Sequence, residues 1–274
     1  MSSYKAHSLF SIILSFIIFT NPFYLVLSLI GGNLSDFDHE IKNSAILKIM
    51  IFGFFLSILL YFIHIPIYFG LILILLGIIF YFSKHRGFTH SIFGITIISF
   101  LIFLFILLGI LLSKDIISLL NNNPFNIGLD LNLFNMEFIT FGGVVSFNFT
   151  LILLSILIII LIFLFLNKKL FIPAILLYSI GILIMPVDFS IFNKFIFPLG
   201  SKQLLFFLSI FFSILVGGLS HLILDSFTPS GIQLFSPFSK KKYYKKSGTF
   251  ILASLLLFSI YNIVYNFNFF GIIL

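Results

Sequence analysis

Cysteine is absent from the 274 residues, and so is tryptophan. Without thiols there is no disulfide framework and no thiolate metal site, so His, Asp and Glu are left to hold any metal. Charge is scarce as well: 8% of residues are charged against 61% hydrophobic, and the mean hydropathy is +1.26. That balance excludes a water-soluble globular domain. Arginine occurs once, at Arg86, in a chain that uses lysine at every other basic position. No G-x-S-x-G elbow is present, so a serine nucleophile of that kind is not indicated.

What the sequence has is apolar runs, repeated along its whole length. A bilayer core about 30 Å thick takes roughly 20 helical residues to cross. Segments of that order are read at about 46–63, 66–82, 91–112, 150–166, 170–187, 203–219 and 250–268. Ahead of them, Lys5 precedes an apolar stretch from Leu9 to Phe19. It is broken by Asn21-Pro22, and a second piece, Phe23 to Ile30, runs into Gly31-Gly32. No small-residue cleavage site follows the first stretch, so it is expected to be retained. The expected fold is all-α: one integral membrane domain over 1–274, a polytopic transmembrane helical bundle of about seven full spans plus a broken N-terminal hairpin. The 42 phenylalanines carry little individual meaning in so biased a composition, and the likeness of Ala6-His7-Ser8-Leu9-Phe10 to Thr89-His90-Ser91-Ile92-Phe93 is read as chance.

Sidedness follows from parity. Seven crossings counted from loop 33–45 put loops 33–45, 83–90, 167–169 and 220–249 on one side. The N-terminus joins them if Asn21-Pro22 turns a re-entrant hairpin, since a continuous helix from His7 to Gly32 would separate its ends. Twelve of the 15 basic residues then share that face, and only Lys114, Lys194 and Lys202 lie opposite. This is the positive-inside pattern of a multi-pass protein of the cell (plasma or inner) membrane, with the first side cytoplasmic and the C-terminus outside. The net charge of +7 is therefore read as a topology signal and not as a nucleic-acid surface. Lys240 to Lys246, with Tyr243 and Tyr244 among them, is expected to contact lipid headgroups. Segment 113–149 is expected to be an outer loop. Of its neighbours, Asn148-Phe149-Thr150 is a sequon too near the bilayer to be used, and Asn33-Leu34-Ser35 is one on the inner side.

The same count sorts the ligand-type residues. His7, His39, His85, His90 and His221 fall on the cytoplasmic side with Asp36, Asp38, Glu40 and Asp225, while His64 sits in an outer turn. In Asp36-Phe37-Asp38-His39, alternate carboxylates beside an imidazole in a Gly-preceded loop suit one cation, or merely a solvated loop capping the next helix. In His85-Arg86-Gly87-Phe88-Thr89-His90 the histidines are five apart, off a common helix face, so Gly87 is expected to bend the chain and let both point inward. The lone guanidinium of Arg86 suits bidentate contact with a carboxylate or a phosphate oxygen. His221 and Asp225 are an i, i+4 pair on one helix face. To carry them the seventh span must extend, and a helix from Gln203 to Ser226 measures about 36 Å. That sets the pair near the interface, where an Asp close to hydrocarbon, at a cost of roughly 2.5–3.5 kcal/mol, calls for a partner. Ser226-Phe227-Thr228-Pro229-Ser230-Gly231 then stops the helix. His7 and His90 are each read as standing just before an apolar helix.

Taken together, His7, Leu34-Ser35-Asp36-Phe37-Asp38-His39, His85-Arg86-Gly87-Phe88-Thr89-His90-Ser91 and Ser220-His221-Leu222-Ile223-Leu224-Asp225-Ser226-Phe227-Thr228-Pro229-Ser230-Gly231 resemble the YdjM-like family, described as membrane-bound, metal-dependent hydrolases. Ser35 departs from that pattern, which usually has Pro before the first Asp. The resemblance implies that Asp36, Asp38, His39, His85, His90, His221 and Asp225 form a metal site, with His7 added. The cofactor expected is a divalent metal, zinc or manganese, which suit mixed imidazole and carboxylate ligands better than magnesium does. In the expected hydrolysis, Asp38 or Asp225 takes a proton and Arg86 steadies the developing anion. The substrate would be an amphiphilic ester or phosphoester met at the lipid bilayer. Two rivals remain: a non-catalytic scaffold or sensor stapled by the metal, and a transporter. The central parts of the seven spans hold no ionisable residue, which counts against the transporter.

Overall fold

Asn21-Pro22 decides the shape of the N-terminal third. In the computed structural model, which describes residues 4–19, 21–38, 43–63, 66–84, 86–121, 136–140, 143–147, 149–184 and 201–265, helix α1 (Tyr4–Ile18) ends before it and α2 (Pro22–Leu34) starts at the proline. Asn21 is the N-cap: its backbone is extended and its side chain accepts from the Phe23 amide at 2.8 Å, while Pro22 fills a position whose N–H would have no helical partner. The two helices pack on each other, with Ser28 donating to the Ser11 carbonyl at 3.3 Å and Ser8 Oγ lying 3.2 Å from Asn33 Oδ1. The expected broken hairpin is therefore present. Asn21→Ala is expected to lower stability by about 1 kcal/mol and Asn21→Ser by much less, as thermal unfolding in detergent would show.

The sequence then continues through α3 (Asn43–Phe62), α4 (Tyr68–Phe82), α5 (Ile92–Asn121), a strand pair β1 (Met136–Thr140) and β2 (Gly143–Phe147), α6 (Phe149–Phe165), α7 (Lys168–Ile184), α8 (Ser201–Ser226) and α9 (Lys245–Tyr265). Short 3-10 turns cover Ser35–Asp38 and Phe88–His90. Among the described residues, three stretches are long and apolar enough to cross a membrane, namely Ser44–Phe62, Ile92–Leu112 and Leu204–Ser226, whereas α1, α4 and Leu151–Phe165 are apolar but shorter. The helical architecture is as expected. Segment 113–149 is not a plain loop, because α5 runs on to Asn121 and β1 pairs antiparallel with β2, Met136 opposite Phe147.

At the centre stands α2. Every residue from Phe23 to Leu34 is buried, and the helix packs against α1, α6, α7 and α8. A helix apolar all round belongs in an interior and not at a surface. Its closest neighbour is α8, and the reason is small residues. A Cβ on Gly31 would strike the carbonyl of Ile214, and one on Gly217 would strike the carbonyl of Ser28 and lie 2.8 Å from the Gly32 amide. Ser28-x-x-x-Gly32 on α2 and Ser213-x-x-x-Gly217 on α8 are small-xxx-small pairs, which let two backbones touch. The second apolar piece, read as Phe23 to Ile30, in fact continues through Gly31 and Gly32 to Leu34, and the missing side chains of both glycines set the crossing with α8.

Contacts across the bundle bring several chain reversals together. Tyr4 Oη accepts from the Asn167 amide at 2.7 Å, and Phe37 meets the rings of Phe80, near the end of α4, and Phe165, at the end of α6. The start of α1, the end of α2 and the turn between α6 and α7 therefore share one end of the bundle.

Candidate metal centre

At that end α8 presents His221 and Asp225 one turn apart, Nε2 to Oδ2 3.4 Å, as their i, i+4 spacing requires. The helix does extend to Ser226, so both sit in its last two turns. Around Asp225 gather imidazoles from two other elements. His7 Nε2 lies 3.6 Å from Oδ1, and His90 Nε2 lies 3.2 Å from Oδ2. His221 Nε2 is also 3.6 Å from Asp36 Oδ1. The His7 and His221 rings stack at 3.8 Å, with His90 edge-on to His221 at 5.1 Å. His7, His90, His221 and Asp225 are buried, whereas 24% of the Asp36 side chain is exposed.

Each side chain is brought in by its local structure. His7 lies within the first turn of α1 and not before the helix, a correction to the sequence expectation, because the helix begins at Tyr4. His90 does precede its helix: it closes the turn Phe88–His90, and Ser91 Oγ then accepts from the Gly94 amide at 3.0 Å to start α5. The bend before it falls on Arg86, which holds φ at 61°, as well as on Gly87. Left-handed backbone at an arginine is uncommon and marks a site worth explaining. The Arg86 guanidinium donates to Thr228 Oγ1 at 3.2 Å, and Thr228 in turn donates to the Asp225 carbonyl at 2.6 Å. Arg86 is thereby tied to the residue that carries the central carboxylate. Asp36 comes from the turn Ser35–Asp38 at the end of α2.

The tautomer of His221 follows from its neighbour. Nδ1 is 2.8 Å from the Gly32 carbonyl, which can only accept, so Nδ1 is the donor there and Nε2 is the nitrogen turned to the site. Nε2 is buried and faces oxygens of Asp225 and Asp36. Between that nitrogen and two carboxylates a cation is favoured, either a proton or a metal ion. A proton would draw N and O to about 2.7–2.9 Å. Donor atoms held about 2.0–2.2 Å from a tetrahedral ion lie about 3.3–3.6 Å apart; the separations of 3.4 and 3.6 Å here fall in that range and the 3.2 Å from His90 to Asp225 just below it. The donors form two overlapping sets, His7 with His221 and Asp225, and Asp36 with His90 and His221. Both the donor chemistry and the spacing fit a divalent cation.

Five of the residues expected at the site are thus together: His7, Asp36, His90, His221 and Asp225. His39, His64, His85 and the side chain of Asp38 lie outside the described residues. Thr228 and Gly32 were not singled out from sequence as parts of a site. Thr228 was legible only as a turn residue, and Gly32 acts through its carbonyl.

Residues 146–272 match the model of a family described as YdjM inner membrane protein, which bears out the resemblance read from the motifs. The match takes in α6 to α9 and the motif from Ser220 to Gly231, just under half of the chain. No curated protein and no solved structure matches.

Proposed function

We propose that the chain is a membrane-bound, metal-dependent hydrolase whose His/Asp centre works at the cytoplasmic face of the inner membrane on an amphiphilic ester or phosphoester. The observation that carries this is the buried set of donor atoms spaced as a coordination shell around the carboxylate of Asp225. In this reading the seven later helices each cross the bilayer, and the excess of lysine at the site's end marks the cytoplasmic side.

His7, His90, His221 and Asp225 would hold zinc or manganese, with Asp36, and with Asp38, His39 and His85 by family resemblance. Such an ion supplies Lewis acidity, enough to activate water near neutral pH. Because both Asp225 oxygens face imidazoles, Asp225 is assigned to holding the ion. Proton acceptance then falls to whichever of Asp36, the more open, and Asp38 is not holding the ion. Arg86, fixed by Thr228 beside the centre, binds the anionic oxygens of the substrate and steadies charge as it develops. The description of the matched family, an inner membrane protein, agrees with the location proposed.

A closed, non-catalytic staple is the second reading, favoured by the deep burial of the three histidines. Hydrolysis decides between them. Full-length protein in detergent, given chromogenic esters and phosphodiesters in mixed micelles, is expected to turn over one class. That activity should stop on chelation and return with zinc or manganese. Arg86→Gln should lower kcat/KM about a hundredfold with metal content unchanged. A stably loaded protein that hydrolyses neither class would leave the staple.

A further inference from the structure

The segment between α8 and α9 is a folded platform. Ile232 and Tyr243 exchange backbone hydrogen bonds of 3.0 and 2.8 Å as an antiparallel bridge. Ile232 and Leu234 are buried in a small apolar cluster with Ile95 of α5 and Leu222 of α8, and the Leu234 carbonyl accepts from the Ile92 amide at 3.0 Å. The platform is thus fixed to the helices beside His90 and His221.

Its outward face sets exposed aromatic rings among lysines. Phe235, Phe238 and Tyr244 are exposed, Phe238 to 80%, and Phe238 lies edge-on to the exposed Phe93 at 5.4 Å. Beside these rings Lys240, Lys241, Lys242, Lys245 and Lys246 all face outward, and Lys241 Nζ sits 5.8 Å over the Tyr243 ring. No acidic residue follows Asp225 anywhere in the sequence. The level of this face is fixed by its neighbours: the crossing-length stretch of α8 ends at Ser226, and α9 turns apolar at Phe250, itself highly exposed. Exposed rings set among unopposed lysines, where one apolar helix leaves a bilayer and the next enters, match the boundary between acyl chains and headgroups.

We propose that this platform is a docking surface for anionic phospholipid headgroups of the surrounding bilayer, the rings seated at the acyl boundary and the lysines on the phosphates. The lysines attract the charge that a zwitterionic headgroup lacks. The rings require an apolar phase beside them, which a nucleic acid in solution does not offer. The inference stands apart from the metal centre and does not need it to be catalytic.

To test it, full-length protein in an uncharged detergent is titrated with phosphatidylglycerol or phosphatidylcholine of matched acyl chains, and bound lipid is counted by native mass spectrometry. The wild type is expected to prefer phosphatidylglycerol, less so at high salt. Lys240→Gln, Lys241→Gln and Lys242→Gln together should weaken that lipid on the order of a hundredfold, about fivefold for each lysine at about 1 kcal/mol, while the matching Arg triple keeps it. Because these side chains are exposed, the helical circular dichroism should not change; if the Gln triple does not fold, the salt dependence of the wild type and the Arg triple decide. Equal affinity for the two lipids, a preference untouched by salt or by the Gln triple, or lysine-dependent binding of a short oligonucleotide that displaces the lipid would each overturn the proposal.

Discussion

Purified full-length protein is expected to carry zinc or manganese stoichiometrically, and a His221→Ala, Asp225→Ala double variant to carry none. The two residues supply the atoms common to every close contact at the centre: Asp225 oxygens face His7, His90 and His221, and His221 Nε2 faces both Asp225 and Asp36. Removing them takes away the carboxylate that faces all three imidazoles and the imidazole that faces both carboxylates. Losing a single ligand from a three- or four-ligand site is already severe, and losing His221, common to both donor sets, together with Asp225 leaves neither set intact. Elemental analysis beside a folding check makes the comparison. The double variant should keep its helical content, since the cost of deletion is confined to the last two turns of α8. No metal in the wild type, even after reconstitution with zinc and with manganese, would sink the hydrolase mechanism. The cluster would then be a histidine–carboxylate hydrogen-bond network, with Arg86 and Thr228 tying it to the turn after α8.

The second large effect is expected one step further back, at a residue with no chemistry of its own. Gly217→Ala adds one methyl group where the α8 backbone meets the Ser28 carbonyl and the Gly32 amide. Backbone cannot move aside as a side-chain tip can, so the helices must part, at about 1–3 kcal/mol for the overpacking. Parting α2 from α8 also stretches the 2.8 Å contact between His221 Nδ1 and the Gly32 carbonyl, which fixes the tautomer that offers Nε2 to the metal. The variant should therefore unfold at lower temperature and bind metal more weakly, both from one methyl group. Leu257→Ala on α9, at a side chain 67% exposed, is the control and should change stability by less than about 0.5 kcal/mol with metal affinity intact. If Gly217→Ala matched the wild type in both measurements, the close crossing of α2 and α8 would not be what holds the centre together.

Several features of the centre could be read from residues alone, for a reason that can be stated for each. The His221 and Asp225 pair was legible because helical periodicity is local and puts i and i+4 on one face. The hairpin was legible because Asn21-Pro22 is both a cap and a break. The position of His7 was harder. A sequence this rich in Ile, Leu and Phe gives a weak signal for where a helix begins, and α1 starts a turn earlier than expected. The likeness between Ala6-His7-Ser8 and Thr89-His90-Ser91 was set aside as compositional chance. In the structure the two histidines take matching parts, each facing one oxygen of Asp225. The glycines of α2 were read only as lying between the apolar piece that ends at Ile30 and loop 33–45. Their actual use, close helix contact, shows in sequence only as Ser28-x-x-x-Gly32 and Ser213-x-x-x-Gly217.

The sequence by itself settled composition-level and short-range matters: helices rather than sheet as the framework, the break at residue 21, the i, i+4 ligand pair, the gathering of lysines and histidines near the same chain reversals, and the family resemblance. Each depends on residues within a few positions of one another, or on a count over the whole chain. Only the tertiary structure decided which imidazole meets which oxygen of Asp225, that Gly32 fixes the tautomer of His221 across 189 residues of sequence, that Thr228 holds Arg86, and that the basic loop is a platform fixed to α5 and α8. Those are distances between segments far apart in the chain, set by where two helices can touch. That point is determined by the absence of side chains at Gly31 and Gly217 as much as by any side chain that is present.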